Sequence, residues 1–126
     1  MIAHLTIAVR DVKTSAAFFE NTLQWPPIDR PNNIGQPAAW HAIAPNQELH
    51  LIEVDDFEPS PFEQEFGRHF AFFYPLEQFD ELKRRLVENG AELIDPLRPT
   101  PFERFFFRNP DGYIFEIVAA GHAAAT

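Results

Sequence analysis

The chain contains no cysteine. Disulfides, thiolate nucleophiles and thiolate metal sites are therefore excluded. Positive charge is scarce: 10 Lys and Arg stand against 19 Asp and Glu, a net charge of −9 with His neutral. Such a surface repels phosphate backbones and anionic lipid, so neither nucleic acid nor membrane is an expected partner. No apolar run approaches the ~20 residues that a membrane span needs. The N-terminus lacks a basic region followed by an apolar core and a small-residue cleavage site, so no signal peptide is visible. A soluble, cytoplasmic protein is the expectation. What the chain does have is phenylalanine, 14 of its 126 residues, and enough length for one domain with a hydrophobic core.

The stretch from Arg104 to Val118 organises the rest. Two β-rich runs flank Asn109-Pro110-Asp111-Gly112, residues that turn a chain back on itself. In the second run Ile114, Glu116 and Val118 share one face, and Tyr113, Phe115 and Ile117 share the other. A carboxylate in so apolar a strand is costly to desolvate unless it is paired. Glu116 therefore needs either a metal or a basic partner, with Arg104 and Arg108 available on the neighbouring strand.

Residues 2–9 read as a strand with Leu5, Ile7 and Val9 on one side and His4, Thr6 and Ala8 on the other. A helix is expected over Ala16 to Leu23, from apolar spacing at Ala16, Phe19 and Leu23, ended by Trp25-Pro26-Pro27. Residues 28–38 suit a loop or strand edge, and 40–44 and 48–54 two strands. The acidic, proline-bearing segment 55–68 suits a linker or an active-site loop. The pattern then restarts. His69 to Tyr74 is a strand, and Leu76 to Asn89 a helix with Phe79, Leu82, Leu86 and Val87 on its apolar face and Gly90 as cap. A short strand at 91–94, a loop at 96–101 and the Phe-rich hairpin close the domain, followed by an Ala-rich tail, Gly121 to Thr126, expected to fray. Two βαβββ units thus sit end to end. His4 to His50 and His69 to Glu116 are separated equally to within one residue. Each half places one ligand-type residue on its first strand and one on its last.

Imidazole and carboxylate together suit Fe, Ni, Zn, Mn or Co, and three His with one Glu contain a 2-His-1-carboxylate set. Taken singly, each has a plainer reading: a structural His at a strand start for His69 and His4, a cross-strand ion pair for Glu116. The repeat-related arrangement of all four points to a metal site.

The chain resembles the vicinal oxygen chelate superfamily of glyoxalase I, extradiol dioxygenases, fosfomycin-resistance transferases, bleomycin-resistance proteins and methylmalonyl-CoA epimerase. The resemblance rests on His4-Leu5-Thr6-Ile7-Ala8-Val9-Arg10-Asp11 with Phe18-Phe19, on Leu49-His50-Leu51-Ile52-Glu53, and on His69-Phe70-Ala71-Phe72. It rests above all on Phe107-Arg108-Asn109-Pro110-Asp111-Gly112-Tyr113-Ile114-Phe115-Glu116. It implies an α+β fold of two tandem βαβββ modules forming an open, incomplete barrel, helices outside. The whole of 1–126 is then one glyoxalase-like domain, module one about 1–56 and module two about 67–120. It also implies a homodimer, an arrangement that suits a half-barrel with an edge strand. His4, His69 and Glu116 would be the shared metal ligands, and His50 falls where glyoxalase I has a Glu. Gln24 stands where a left-handed Gly is usual.

The expected function is a divalent-metal-dependent enzyme of lyase, isomerase or dioxygenase type, acting on a small substrate with adjacent oxygens. Glu116 is ligand or base, and His41, Tyr74, Arg104 and Arg108 are candidate substrate-binding residues. If His50 ligates too, a bidentate substrate fills an octahedral ion and leaves no position for O₂, which favours isomerase or lyase chemistry. The alternative is a metal-free, bleomycin-resistance-like protein that sequesters a small molecule in an acidic cup.

Overall fold

The computed structural model describes residues 1–121, so the tail beyond Gly121 lies outside the described residues. The backbone forms two compact units, Met1–Phe57 and a second beginning at Glu58. In the first unit β1 (His4–Val9), α1 (Val12–Asn21), β2 (Pro27–Ile28), β3 (Ala38–Ala44) and β4 (Gln47–Glu53) follow in order. In the second, β5 (Phe70–Tyr74) leads through a 3-10 turn at Leu76–Gln78 into α2 (Phe79–Glu88), then β6 (Glu92–Ile94), β7 (Arg104–Arg108) and β8 (Ile114–Ala119). The strand orders are β1-β4-β3-β2 and β5-β8-β7-β6, each an open four-stranded sheet with one parallel pair. The fold is α+β, and each unit is a βαβββ module of the glyoxalase-like kind.

The helices start and stop where cap chemistry dictates. Asp11 accepts the Thr14 N–H at 2.9 Å, so α1 begins at Val12, four residues before the first apolar position that spacing alone identifies. It ends with the Thr22 and Gln24 N–H groups on the Phe18 and Phe19 carbonyls, and Gln24 takes φ 60. At the end of α2 the left-handed residue is Gly90, φ +90, the conformation that glycine adopts without a Cβ clash. Phe79, Leu82 and Leu86 are buried on α2, whereas Val87, expected on the same face, points outward and is exposed.

One face of each sheet carries its unit's core. In the first, Ile7, Val9, Leu49 and Leu51 are buried together with Phe18 and Phe19 of α1. In the second, Phe105, Phe107, Phe115 and Ile117 do the same beside α2, with the Phe79 and Phe105 rings edge to face at 5.2 Å. Fully burying one such side chain stabilises by about 1.5–3 kcal/mol. The turn between β7 and β8 is fixed by Asn109, whose backbone N–H donates to Tyr113 O at 2.9 Å and whose Oδ1 accepts the Tyr113 N–H at 2.8 Å. Gly112 in that turn has φ +99, and a Cβ there would come within 2.7 Å of Pro59.

Candidate functional site

Strand register decides which side chains share the second face of each sheet. His4 pairs with Glu48, Thr6 with His50, and Trp40 with His50, so His4, Glu48, His50 and Trp40 lie together, away from α1. Their rings form a column: Trp40 stacks on His50 at 3.6 Å, and His50 on His4 at 4.1 Å. His50 Nε2 is 2.8 Å from Glu48 Oε1. With that nitrogen donating to the carboxylate, the basic lone pair of a neutral His50 ring sits on Nδ1.

In the second unit Phe106 pairs with Glu116 and Arg104 with Val118, so Arg104, Phe106, Arg108 and Glu116 share a face. Glu116 is buried, and its two oxygens have different partners. Oε2 accepts from Arg104 Nη1 at 3.0 Å, while Oε1 faces His69 Nε2 at 3.2 Å. His69 Nδ1 lies 3.3 Å from the Gln64 carbonyl. With the ring hydrogen on Nε2 this contact is a hydrogen bond to the carboxylate; with it on Nδ1, donated to Gln64, the Nε2 lone pair and Oε1 are two donors available to one cation. Two donors bound at about 2.0–2.2 Å to one ion lie roughly 3 Å apart at right angles, so this pair fits a divalent metal.

Arg104 is itself held on both sides. Its Nη2 donates to Glu65 Oε2 at 3.1 Å and to the Arg98 carbonyl, while Nε has no acceptor among the described residues. Glu65 also accepts the Leu97 N–H at 2.6 Å and the Arg98 N–H at 2.9 Å. Burial pushes the Glu65 carboxyl up. The two backbone N–H groups and Arg104 outweigh that and hold it below the usual carboxylate range.

The other sequence candidates go elsewhere. His41 is fully buried on the face toward α1, where Nε2 meets Glu20 Oε2 at 2.8 Å. Tyr74 also faces its helix, its hydroxyl accepting from Arg85 Nη2 at 2.9 Å. Arg108 donates to the Gly112 carbonyl at 3.1 Å and lies 3.5 Å from Glu92. The structure thus brings together His4 with His50, and His69 with Glu116 and Arg104. Among the described residues no group of three or more His, Asp or Glu side chains is placed to hold a metal. Two contributors went unmarked in the sequence: Glu48 and Glu65. Glu48 was on the right face by strand parity, but Glu65 lies in a loop with no period to read.

Two βαβββ modules of identical strand order, with His4 on β1, His50 on β4, His69 one residue before the start of β5 and Glu116 on β8, define a paired-module α+β protein of the glyoxalase type. Residues 1–117 match the family model described as the Glyoxalase/Bleomycin resistance protein/Dioxygenase superfamily, and the chain belongs to that superfamily. Over 123 residues it is 26% identical to Glyoxylase I 4 of Arabidopsis thaliana, covering 90% of this chain and 67% of that protein. It is 25% identical over 119 residues to the metallothiol transferase FosB of Shouchella clausii, covering 92% and 77%. A variant of the fosfomycin resistance protein FosX from Listeria monocytogenes, solved with Mn(II) and 1S,2S-dihydroxypropylphosphonic acid, shares the fold. The TM-score is 0.76 at 23% identity, over 94% of this chain and 91% of that one.

Proposed function

We propose that the chain is a divalent-metal-dependent enzyme of glyoxalase type, acting as one glyoxalase-like domain on a small substrate with adjacent oxygens. The observation that carries this reading is the His69 Nε2–Glu116 Oε1 contact at 3.2 Å, which brings an imidazole nitrogen and a carboxylate oxygen within reach of one ion. His4 and His50 are likewise proposed as metal ligands, on donor chemistry and the internal repeat. Superfamily membership, with relatives named as a glyoxalase and a metallothiol transferase and a fold neighbour solved with Mn(II), supports a metal-dependent enzyme. When bound, such an ion chelates two neighbouring substrate oxygens and stabilises the charge that develops on them. Glu116 is proposed to move a proton α to a carbonyl. Because Arg104 occupies Oε2, Oε1 is the oxygen that would bind the ion or, once detached from it, take the proton. Lyase or isomerase chemistry is preferred over dioxygenase chemistry, on the count of open metal positions.

Titration calorimetry with Mn(II), Ni(II) and Zn(II), checked by elemental analysis, tests the reading. Stoichiometric binding to the wild type that is lost in Glu116→Gln is expected. A wild type that takes up no transition metal would overturn it in favour of a metal-free binding module. That second reading has one observation on its side: Arg104 already neutralises Glu116 at 3.0 Å, as a site without metal requires.

A homodimer and a cytoplasmic location belong to the same proposal. The sheets are open and cysteine is absent. Among the described residues no helix is long and apolar enough to cross a membrane.

A further inference from the structure

Within the second unit, the segment 63–65 passes over the sheet face that carries Glu116 and leaves a cavity of about 170 Å³. Its floor is Phe106 and Ile114, both buried, its sides are Ile94 and Leu97, and Arg108 stands at its edge. The two carboxylates of the overlying segment are already engaged. Glu63 accepts the Ile114 N–H at 3.0 Å and pairs with Arg68 at 2.7 Å, and Glu65 holds Leu97, Arg98 and Arg104. Neither turns an unsatisfied charge inward; Gln64 and the exposed Asp95 also line the space, and the rest of its surface is mostly apolar. It also adjoins the candidate centre. Phe106 is the cross-strand partner of Glu116, its ring meets His69 edge to face at 5.1 Å, and Ile114 precedes Glu116 by two residues on the same face.

The geometry points to this cavity as the subsite for an apolar arm of the substrate, aryl or branched alkyl, up to about the size of a phenyl ring. An apolar cavity of roughly 150 Å³ lined by Leu, Ile and Phe takes up benzene, so the volume suits such a group. The assignment rests on the metal-centre reading above for its neighbour, and on the cavity's own lining for its chemistry. Ile94, Leu97 and Ile114 become the residues that set the length and breadth of the arm.

Benzene is the probe. In the full chain with labelled Ile and Leu methyl groups, benzene is expected to shift the Ile94, Leu97 and Ile114 signals together and saturably. Ile94→Phe, which fills the space, is expected to weaken that binding by roughly tenfold or more. Ile94→Ala, which enlarges it, is expected to keep benzene and to admit ethylbenzene, so a folding defect in the first variant does not decide the matter. Mn(II) is expected to broaden the bound benzene signal in the wild type. Shifts that do not saturate, or equal binding by wild type and a folded Ile94→Phe, would overturn the subsite. Bound benzene left sharp beside bound Mn(II) would overturn its assignment to the Glu116 centre. Benzene binding with no Mn(II) uptake would sink the metal reading and leave the cavity as the apolar pocket of a binding module.

Discussion

Arg104 holds two carboxylates at once, the half-buried Glu65 at 3.1 Å and the buried Glu116 at 3.0 Å. Removing the cation leaves Glu65 with only the Leu97 and Arg98 N–H groups and Glu116 with only His69, and no full positive charge against either carboxylate. Arg104→Met is therefore expected to cost about 3–5 kcal/mol, read from urea denaturation of the metal-free protein. Glu116→Gln behaves differently. The amide keeps one oxygen for Arg104, and Glu65 remains, so a loss of about 1–2 kcal/mol is expected in the same assay. A larger loss for Glu116→Gln than for Arg104→Met would show that the carboxylate, not the guanidinium, organises the cluster. Glu65 gives the pH dependence. Its carboxyl is held below the usual range in the folded chain. Its contribution is therefore fully present above the unfolded value of about 4.3, and is lost as pH falls through the folded value. Glu65→Gln is expected to flatten that acid limb, seen as a urea midpoint that changes less with pH than the wild type's.

At the scale of elements, the end of α1 offers a gain. Gln24 adopts φ 60, a left-handed conformation that strains any residue with a Cβ. Gln24→Gly relieves about 1 kcal/mol of strain, partly offset by the freedom glycine has when unfolded, and a higher melting temperature is expected. This position was legible in the sequence as the place where a helix-ending glycine is missing. So were the strands that carry the candidate site, because alternation over His4–Val9 and Ile114–Ala119 assigns faces by parity alone. The start of α1 was not legible, since apolar spacing begins at Ala16 while the cap is Asp11. Nor was β2, two residues held only by pairing with Trp40 and His41. His41 and Tyr74 are substrate-binding candidates on sequence, each a polar tip on a strand residue. A polar tip does not reveal which face it serves, and both turn to a helix residue, Glu20 and Arg85. Glu63 and Glu65 act through loop geometry that no local pattern encodes.

For the whole molecule, the expected state in solution is a homodimer, and sedimentation at micromolar concentration tests it. A monomer there would count against open four-stranded sheets finding a partner copy. The net charge of −9 makes copies of the chain repel one another, so the contact between them should tighten as salt screens that repulsion. The strand pairings carry a last consequence. Every ladder among the described residues closes within Met1–Phe57 or within the residues from Glu58 onward. A backbone cut between Phe57 and Glu58 therefore severs no sheet hydrogen bond and leaves each fragment with its full complement of strands. The gene could be divided there, as for split reporters, with each four-stranded sheet made whole on its own polypeptide.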